Sequence, residues 1–145
     1  MAANDLNGSA RSARRVTPGA SHRFVAATEQ LETGTPVVSV MGEVDLATAS
    51  ALEQTLLGVE DDRPGEMIVD LSGCSFLDSS GLRALLATRE RHEQSNPRPT
   101  LVVSNPNVMR IFQLTKFDEL FEIYPTLDAA VGGNGNGNGN GKGHE

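Results

Sequence analysis

The sequence FLDSSGL, residues 76–82, joins a strand-like run at 67–71 to a helix-like run at 82–92. Two serines, Ser79 and Ser80, therefore lie where a helix begins. The backbone N–H groups of a helix start lack partners within the helix, and this end of a helix favours negative charge. A serine hydroxyl in that position can cap the helix, act as a nucleophile or accept a phosphate.

The residues on either side of the serines narrow these possibilities. Asp78 is a good N-cap residue, because its carboxylate can accept a hydrogen bond from an N–H of the first turn. That leaves the hydroxyls of Ser79 and Ser80 without a structural task. Gly81 costs a helix about 1 kcal/mol relative to alanine, so we expect it to be present for function, by letting a partner protein approach the backbone.

Strand and helix patterns alternate through residues 23–131, which we predict to form one α/β domain. The first two strands are joined by a short turn and should pair antiparallel. The later alternation predicts a mixed, mostly parallel sheet of about five strands, covered by about four helices. The predicted strands are 23–30, 37–44, 66–71, 100–104 and 121–124, and the predicted helices are 45–60, 79–94, 105–114 and 126–131.

The two ends of the chain lack this pattern. Residues 1–22 are predicted to be a disordered leader, and the Gly/Asn-rich residues 132–145 a flexible tail, because neither has enough apolar surface to bury. The charge is also unevenly distributed. The first 23 residues carry four arginines and one aspartate, whereas residues 24–131 carry 7 basic and 17 acidic side chains.

Composition excludes several classes of function. An acidic body repels nucleic acid, so we expect no direct nucleic-acid partner. No apolar run approaches the roughly 20 residues that span a bilayer, and no signal peptide pattern is present. The single cysteine, Cys74, cannot form an internal disulfide. These features predict a cytoplasmic protein without a membrane partner.

The sequence contains no catalytic or metal-binding constellation. Its three histidines, His22, His92 and His144, are far apart, and no histidine or cysteine pair has the spacing of metal ligands. Neither serine has the glycine two residues before it that a nucleophile elbow needs, and no glycine-rich phosphate loop follows a strand. We therefore expect no enzymatic activity, no cofactor and no metal.

Four sulfur-containing residues are interpreted as packing residues. Cys74 is predicted to lie in a turn after a strand, as a small half-buried filler and not as a redox sensor. Met41, Met67 and Met109 lie on predicted core elements, so we expect them to pack in the core.

Three segments together resemble the STAS domain and, more closely, the bacterial anti-sigma factor antagonists. They are the junction at 76–82, the GEVD sequence at 42–45 and the NP-x-V-x-RIF pattern at 105–112, and the resemblance spans about residues 23–131. The resemblance implies that Ser79, directly after the motif aspartate, is phosphorylated by a partner anti-sigma factor with serine-kinase activity. It also implies that a PP2C-type phosphatase removes the phosphate.

In this family the unphosphorylated antagonist binds the anti-sigma factor and so releases the sigma factor during a stress response. The resemblance places Asp45 on the docking surface, beside Asp78, Ser79, Ser80 and Gly81. Two alternatives stay open. One is a STAS scaffold or sensor that assembles a larger complex without phosphorylation. The other, a small nucleotide-binding domain, is disfavoured by the missing phosphate loop. Both a monomer and a dimer fit the sequence.

Overall fold

The computed structural model describes residues 11–16, 24–62, 66–92 and 99–136. Within these ranges, six strands form one sheet, whose spatial order is the same as the chain order. The strands are β1 (Arg11–Val16), β2 (Phe24–Leu31), β3 (Pro36–Val44), β4 (Ile68–Leu77), β5 (Thr100–Val102) and β6 (Glu122–Tyr124). The helices are α1 (Ala49–Asp62), α2 (Ser79–His92), α3 (Pro106–Leu114) and α4 (Leu127–Asn136), with a short 3-10 helix at Phe117–Glu119.

The predicted sheet is confirmed. Strands β2 and β3 pair antiparallel, and β3, β4, β5 and β6 are parallel neighbours. All five predicted strands and all four predicted helices are present. The sixth strand is β1, which pairs antiparallel with β2 at the edge of the sheet.

One face of the sheet, which we call the covered face, carries α1, α2 and α3. The apolar stripes of these helices pack on it together with side chains from β2, β3, β4 and β5, and they form the main core. Phe112 of α3 also meets Phe121 edge to face, with the ring centroids 6.3 Å apart. This is a favourable aromatic geometry. The main core therefore lies between the sheet and the apolar stripes of the helices, as the sequence predicts.

In the described part of the chain, the opposite face, which we call the open face, is only partly covered by a helix. Helix α4 contributes Ala130 to a second cluster with Val37, Ile68, Val102 and Tyr124. Val37 and Ile68 lie at the beginnings of parallel strands β3 and β4. Helix α4 thus covers the open face near the amino ends of these strands.

The prediction of disorder at both ends is wrong in part. Residues 11–16 of the predicted leader form β1, since hydrogen bonding to an open strand edge needs no apolar pattern. Helix α4 continues to Asn136, five residues into the predicted tail. A helix that has nucleated gains one hydrogen bond for each further residue, so glycine does not end it at once. The remaining residues of the leader and tail, 1–10, 17–22 and 137–145, lie outside the described residues.

Strand β4 also differs from its prediction, because it continues to Leu77 instead of ending at residue 71. Its register with β3 shifts twice, between Ser39 and Met41 and between Gly42 and Glu43. Each shift places one extra residue in β4, as β-bulges do. Cys74 is therefore a fully buried strand residue and not a half-buried turn residue.

The expectation for the methionines holds for two of the three. Met67 is buried, and Met109 packs against the main core. Met41 is 41% exposed. It alternates with Val40, which points into the covered face, so Met41 lies on the open face.

Candidate functional site

Asp78 caps helix α2, as predicted. Its Oδ1 accepts hydrogen bonds from the N–H of Ser80 at 2.8 Å and from the N–H of Gly81 at 3.3 Å. Its carbonyl accepts a third from Leu82 at 3.1 Å. Ser79, the first residue of the helix, is exposed, whereas Ser80 is half-buried. The aspartate thus satisfies the helix start and leaves an exposed hydroxyl at its tip.

The end of β3 is shaped by a second aspartate. Asp45 Oδ1 accepts hydrogen bonds from the N–H of Ala47 at 3.0 Å and of Thr48 at 3.2 Å. The Thr48 hydroxyl lies 2.9 Å from the carbonyl of Glu43, to which it donates. These bonds hold residues 45–48 in a turn, so α1 begins at Ala49 and not at Asp45 as predicted. Side-chain hydrogen bonds of this kind compete with the helical backbone.

The two aspartate junctions are neighbours. Val44 and Leu77 are paired across the parallel strands β3 and β4, and each is followed directly by its aspartate. The N–H of Asp78 donates to the carbonyl of Val44 at 3.1 Å. The structure therefore brings Asp45, Asp78 and Ser79 to one edge of the sheet.

A third helix start lies at the same edge. Asn105 caps α3 by accepting a hydrogen bond from the N–H of Asn107 at 2.8 Å. Its Nδ2 donates to the carbonyl of Cys74 in β4 at 3.4 Å, which fixes α3 beside the central strand. The carboxyl ends of parallel strands are where α/β folds usually bind their partners and ligands. Helix starts add positive electrostatic potential there.

Gly81 does not have the predicted role of keeping the surface open for a partner. It is buried, and a Cβ at this position would lie 2.8 Å from Val44 Cγ1 and 3.0 Å from Leu77 Cγ. Glycine is therefore required by the close packing of α2 on β3 and β4. The inward-facing side-chain position argues against a contact between Gly81 and a partner, and the place of Gly81 on the docking surface stays a prediction.

Sequence reasoning missed two exposed apolar side chains near this edge. Leu46, directly after Asp45, is 80% exposed, and Phe76, two residues before Asp78, is 47% exposed. The predicted helix 45–60 includes Leu46, because the sequence pattern does not reveal the turn at 45–48. Phe76 falls outside the predicted strand 66–71, because the bulges of β4 interrupt the alternation of a regular strand.

Ser79 contributes an exposed residue with a hydroxyl group to this edge. Within the described ranges, no group of three histidine, cysteine or acidic residues could hold a metal ion. His92 ends α2, 13 residues after Ser79 and so about 20 Å away along the helix axis. Burial raises the pKa of the Cys74 thiol, which keeps it protonated at neutral pH.

No helix in the described part of the chain combines the length and the apolar character needed to cross a membrane.

The model of the STAS domain family matches residues 26–130. The anti-sigma-F factor antagonist RsfB of Mycobacterium tuberculosis is 38% identical over 100 residues, which cover 69% of this chain and 81% of RsfB.

Solved structures show the same similarity. The crystal structure of an anti-sigma factor antagonist from Mycobacterium paratuberculosis has a TM-score of 0.70 at 38% identity, covering 77% of this chain and 95% of that one. The Bacillus protein SpoIIAA matches in its unphosphorylated form with a TM-score of 0.64 at 21% identity, covering 77% of this chain and 96% of SpoIIAA. Its phosphorylated form matches with a TM-score of 0.57 at 20% identity, covering 73% and 96%. Because the sequence identity to SpoIIAA is this low, these two matches support a shared fold only.

Proposed function

Since the chain belongs to the STAS domain family and, within it, to the anti-sigma factor antagonists, we propose that it binds an anti-sigma factor and thereby frees a sigma factor for transcription. The observation that carries this proposal is the exposed Ser79 at the start of α2, beside Asp78 and the neighbouring Asp45 junction. The protein acts as a binding module and not as an enzyme, and it needs no cofactor.

The partner anti-sigma factor is the kinase in this proposal. It transfers the terminal phosphoryl group of ATP to the Ser79 oxygen, and the hydroxyl proton leaves as ADP is formed. A PP2C-type phosphatase reverses the reaction by hydrolysis. Ser79 is the acceptor because it is exposed, whereas Ser80 is half-buried against the capped turn.

Phosphorylation switches binding off by local electrostatics. A phosphate adds about −1.5 to −2 charges at neutral pH. The start of α2 tolerates this charge, so the fold persists. A partner docked over Ser79 must then bury the phosphate beside the carboxylates of Asp45 and Asp78. Burying unpaired like charges is strongly unfavourable, so affinity falls without any conformational change.

The charge of the chain supports a protein partner. The formal net charge is −7, which disfavours direct binding to nucleic acid. The exchange takes place in the cytoplasm, where the kinase has access to ATP and to the sigma factor.

The test combines intact mass with titration calorimetry, using the full chain and its anti-sigma factor. With ATP, the wild-type protein and the control Ser80→Ala should gain one phosphate, and Ser79→Ala should gain none. Ser79→Asp should bind at least about 100-fold more weakly than wild type, which corresponds to about 2.7 kcal/mol, whereas Ser79→Ala should bind normally.

Two results would contradict the proposal in different ways. Undiminished binding of Ser79→Asp would exclude the electrostatic switch. Binding of the anti-sigma factor with no phosphate transfer to the wild-type protein would instead support an unphosphorylated STAS scaffold.

A further inference from the structure

Exposed apolar side chains are concentrated near the proposed phosphorylation site. Five large apolar side chains are exposed among the residues whose burial the structure describes, and three of them are Met41, Leu46 and Phe76. Met41 and Phe76 belong to the adjacent strands β3 and β4, and Leu46 lies in the turn that follows β3. The other two, Leu57 and Leu114, are on helices α1 and α3.

Met41 and Phe76 lie together on the open face, and we call this pair the apolar shelf. Their strand neighbours Val40 and Leu77 are fully buried in the main core on the covered face. Because side chains alternate along a strand, Met41 points to the open face. Phe76 is paired with Glu43 of the neighbouring strand. Glu43 is two residues from Met41 and therefore lies on the same face, so Phe76 also lies on the open face.

Local backbone irregularity shapes the shelf. The two bulges of β4 lie on either side of the Met41–Gly73 and Gly42–Cys74 pairs, and Gly42 has a positive φ of 97°. A Cβ on Gly73 would lie 2.6 Å from Met41 Cγ. Met41 therefore lies across β4 in the space that a side chain at position 73 would fill. Bulges interrupt the ladder of hydrogen bonds and are frequent beside functional sites.

The rest of the described chain leaves the shelf exposed. Helix α4 packs on β5 and β6, with Val37 and Ile68 in its cluster, near the amino ends of the strands. Met41 and Phe76 lie toward the carboxyl ends, and they are 41% and 47% exposed. Large apolar side chains exposed next to each other commonly mark an interaction surface.

We propose that Met41 and Phe76 are the apolar anchors to which the anti-sigma factor docks. This inference rests on the proposed function and adds a surface to it. The shelf is continuous with the phosphorylation site, because Phe76 is two residues before Asp78, and the exposed Leu46 follows Asp45. Protein interfaces typically combine aromatic and methionine side chains at the centre with a polar rim. The carboxylates at this rim fit a partner with a basic border.

The shelf also explains how one phosphate can have a large effect. A partner seated on Met41 and Phe76 excludes water from the adjacent edge. The phosphate on Ser79 then loses its hydration when the complex forms, and this penalty grows as water is excluded. A fully hydrated contact over Ser79 alone would be screened by solvent and salt.

The inference is tested by titration calorimetry of the unphosphorylated full chain with its anti-sigma factor. Phe76→Ser should weaken binding at least tenfold, and Met41→Ser should weaken it severalfold. Leu114→Ser is the matched control: Leu114 is 73% exposed, but it ends α3 and lies far along that helix from Asn105. This variant should bind within twofold of wild type, and thermal unfolding should show that all three variants are folded at the temperature of the titration.

A second measurement does not depend on substitutions. Oxidation of Met41 by hydroxyl radicals, followed by mass spectrometry, should slow at least threefold in the complex. An unchanged oxidation rate would overturn the inference. So would binding of Phe76→Ser within twofold of wild type.

The remaining outcomes separate the inference from the function on which it rests. If the wild-type protein does not bind the anti-sigma factor at all, the proposed function fails and the inference fails with it. If sedimentation shows a wild-type dimer that Phe76→Ser dissociates, the shelf binds a second copy of this chain, and the inference is overturned although the proposed function stands.

Discussion

The two faces of the sheet use the same strands for different purposes. On the covered face, Val40, Val44 and Leu77 are completely buried beneath α1, α2 and α3. On the open face, Met41 and Phe76 are apolar but 41% and 47% exposed. Residues that are adjacent in sequence therefore differ in whether they contribute to folding or are available for binding. Substitutions at these adjacent positions should separate the two contributions.

The largest difference is expected between Leu77 and Phe76. Leu77→Ala removes buried side-chain volume from the main core and should lower the free energy of unfolding by about 2–5 kcal/mol. Phe76→Ala, which removes a side chain that is 47% exposed on the open face, should lower it by a smaller amount, about 1 kcal/mol. Urea denaturation of both variants measures this contrast. Equal losses would mean that Phe76 contributes to the core and is not a docking residue.

The second contrast is between two helical glycines, Gly81 and Gly58. Gly81→Ala places a methyl group 2.8 Å from Val44 Cγ1, so the overpacking should exceed the gain in helix propensity. We expect a loss of about 1–2 kcal/mol in the free energy of unfolding. Nothing lies within 4 Å of a Cβ at Gly58, so Gly58→Ala should instead stabilise the protein by up to about 1 kcal/mol.

Binding measurements complete this comparison. Because Gly81 faces the core, Gly81→Ala should bind the anti-sigma factor like the wild-type protein at temperatures where it is folded. A large loss of affinity in a stable Gly81→Ala variant would restore the earlier expectation that partners contact this backbone.

At the border between the two faces, the cap residue Asp78 should have a smaller effect. Asp78→Ala removes the hydrogen bonds to the N–H groups of Ser80 and Gly81 and should lower the free energy of unfolding by about 1 kcal/mol. Asp78→Asn keeps an acceptor and is the matched control, so it should lose much less. Thermal unfolding measures both, and equal losses would show that the charge of Asp78 matters more than its cap.

The covered face could be predicted from the sequence, and the open face could not. Helix stripes such as Leu52 and Leu56 repeat every three or four residues, and this regular period identifies their buried side. The Asp78 cap could also be predicted from the sequence, because it depends on a local residue preference. These features are set by contacts within a short segment.

Features that depend on pairing between distant segments were not predictable. The bulges of β4 arise from its register with β3, and they place buried residues at 71, 74 and 77 instead of at alternate positions. The sequence therefore showed a short strand where the structure has ten residues. Likewise, the inward position of Gly81 depends on Val44, which lies 37 residues earlier in the chain.

The smallest effect concerns the buried Cys74, and it appears only at high pH. Burial raises the pKa of the thiol, with a backbone hydrogen bond at Phe76 as a weaker opposing influence. The folded state therefore holds the thiol proton more tightly than the unfolded state, where the pKa is about 8.5. Stability from this group is fully present below about pH 8.5, and it falls as the pH rises toward the folded-state pKa.

Urea denaturation from pH 7 to 10 should show this decline in the wild-type protein. Cys74→Ala is less stable at neutral pH because it leaves a cavity, but its stability should decline less steeply with pH. Parallel pH profiles for the two proteins would show that the thiol does not titrate differently on unfolding.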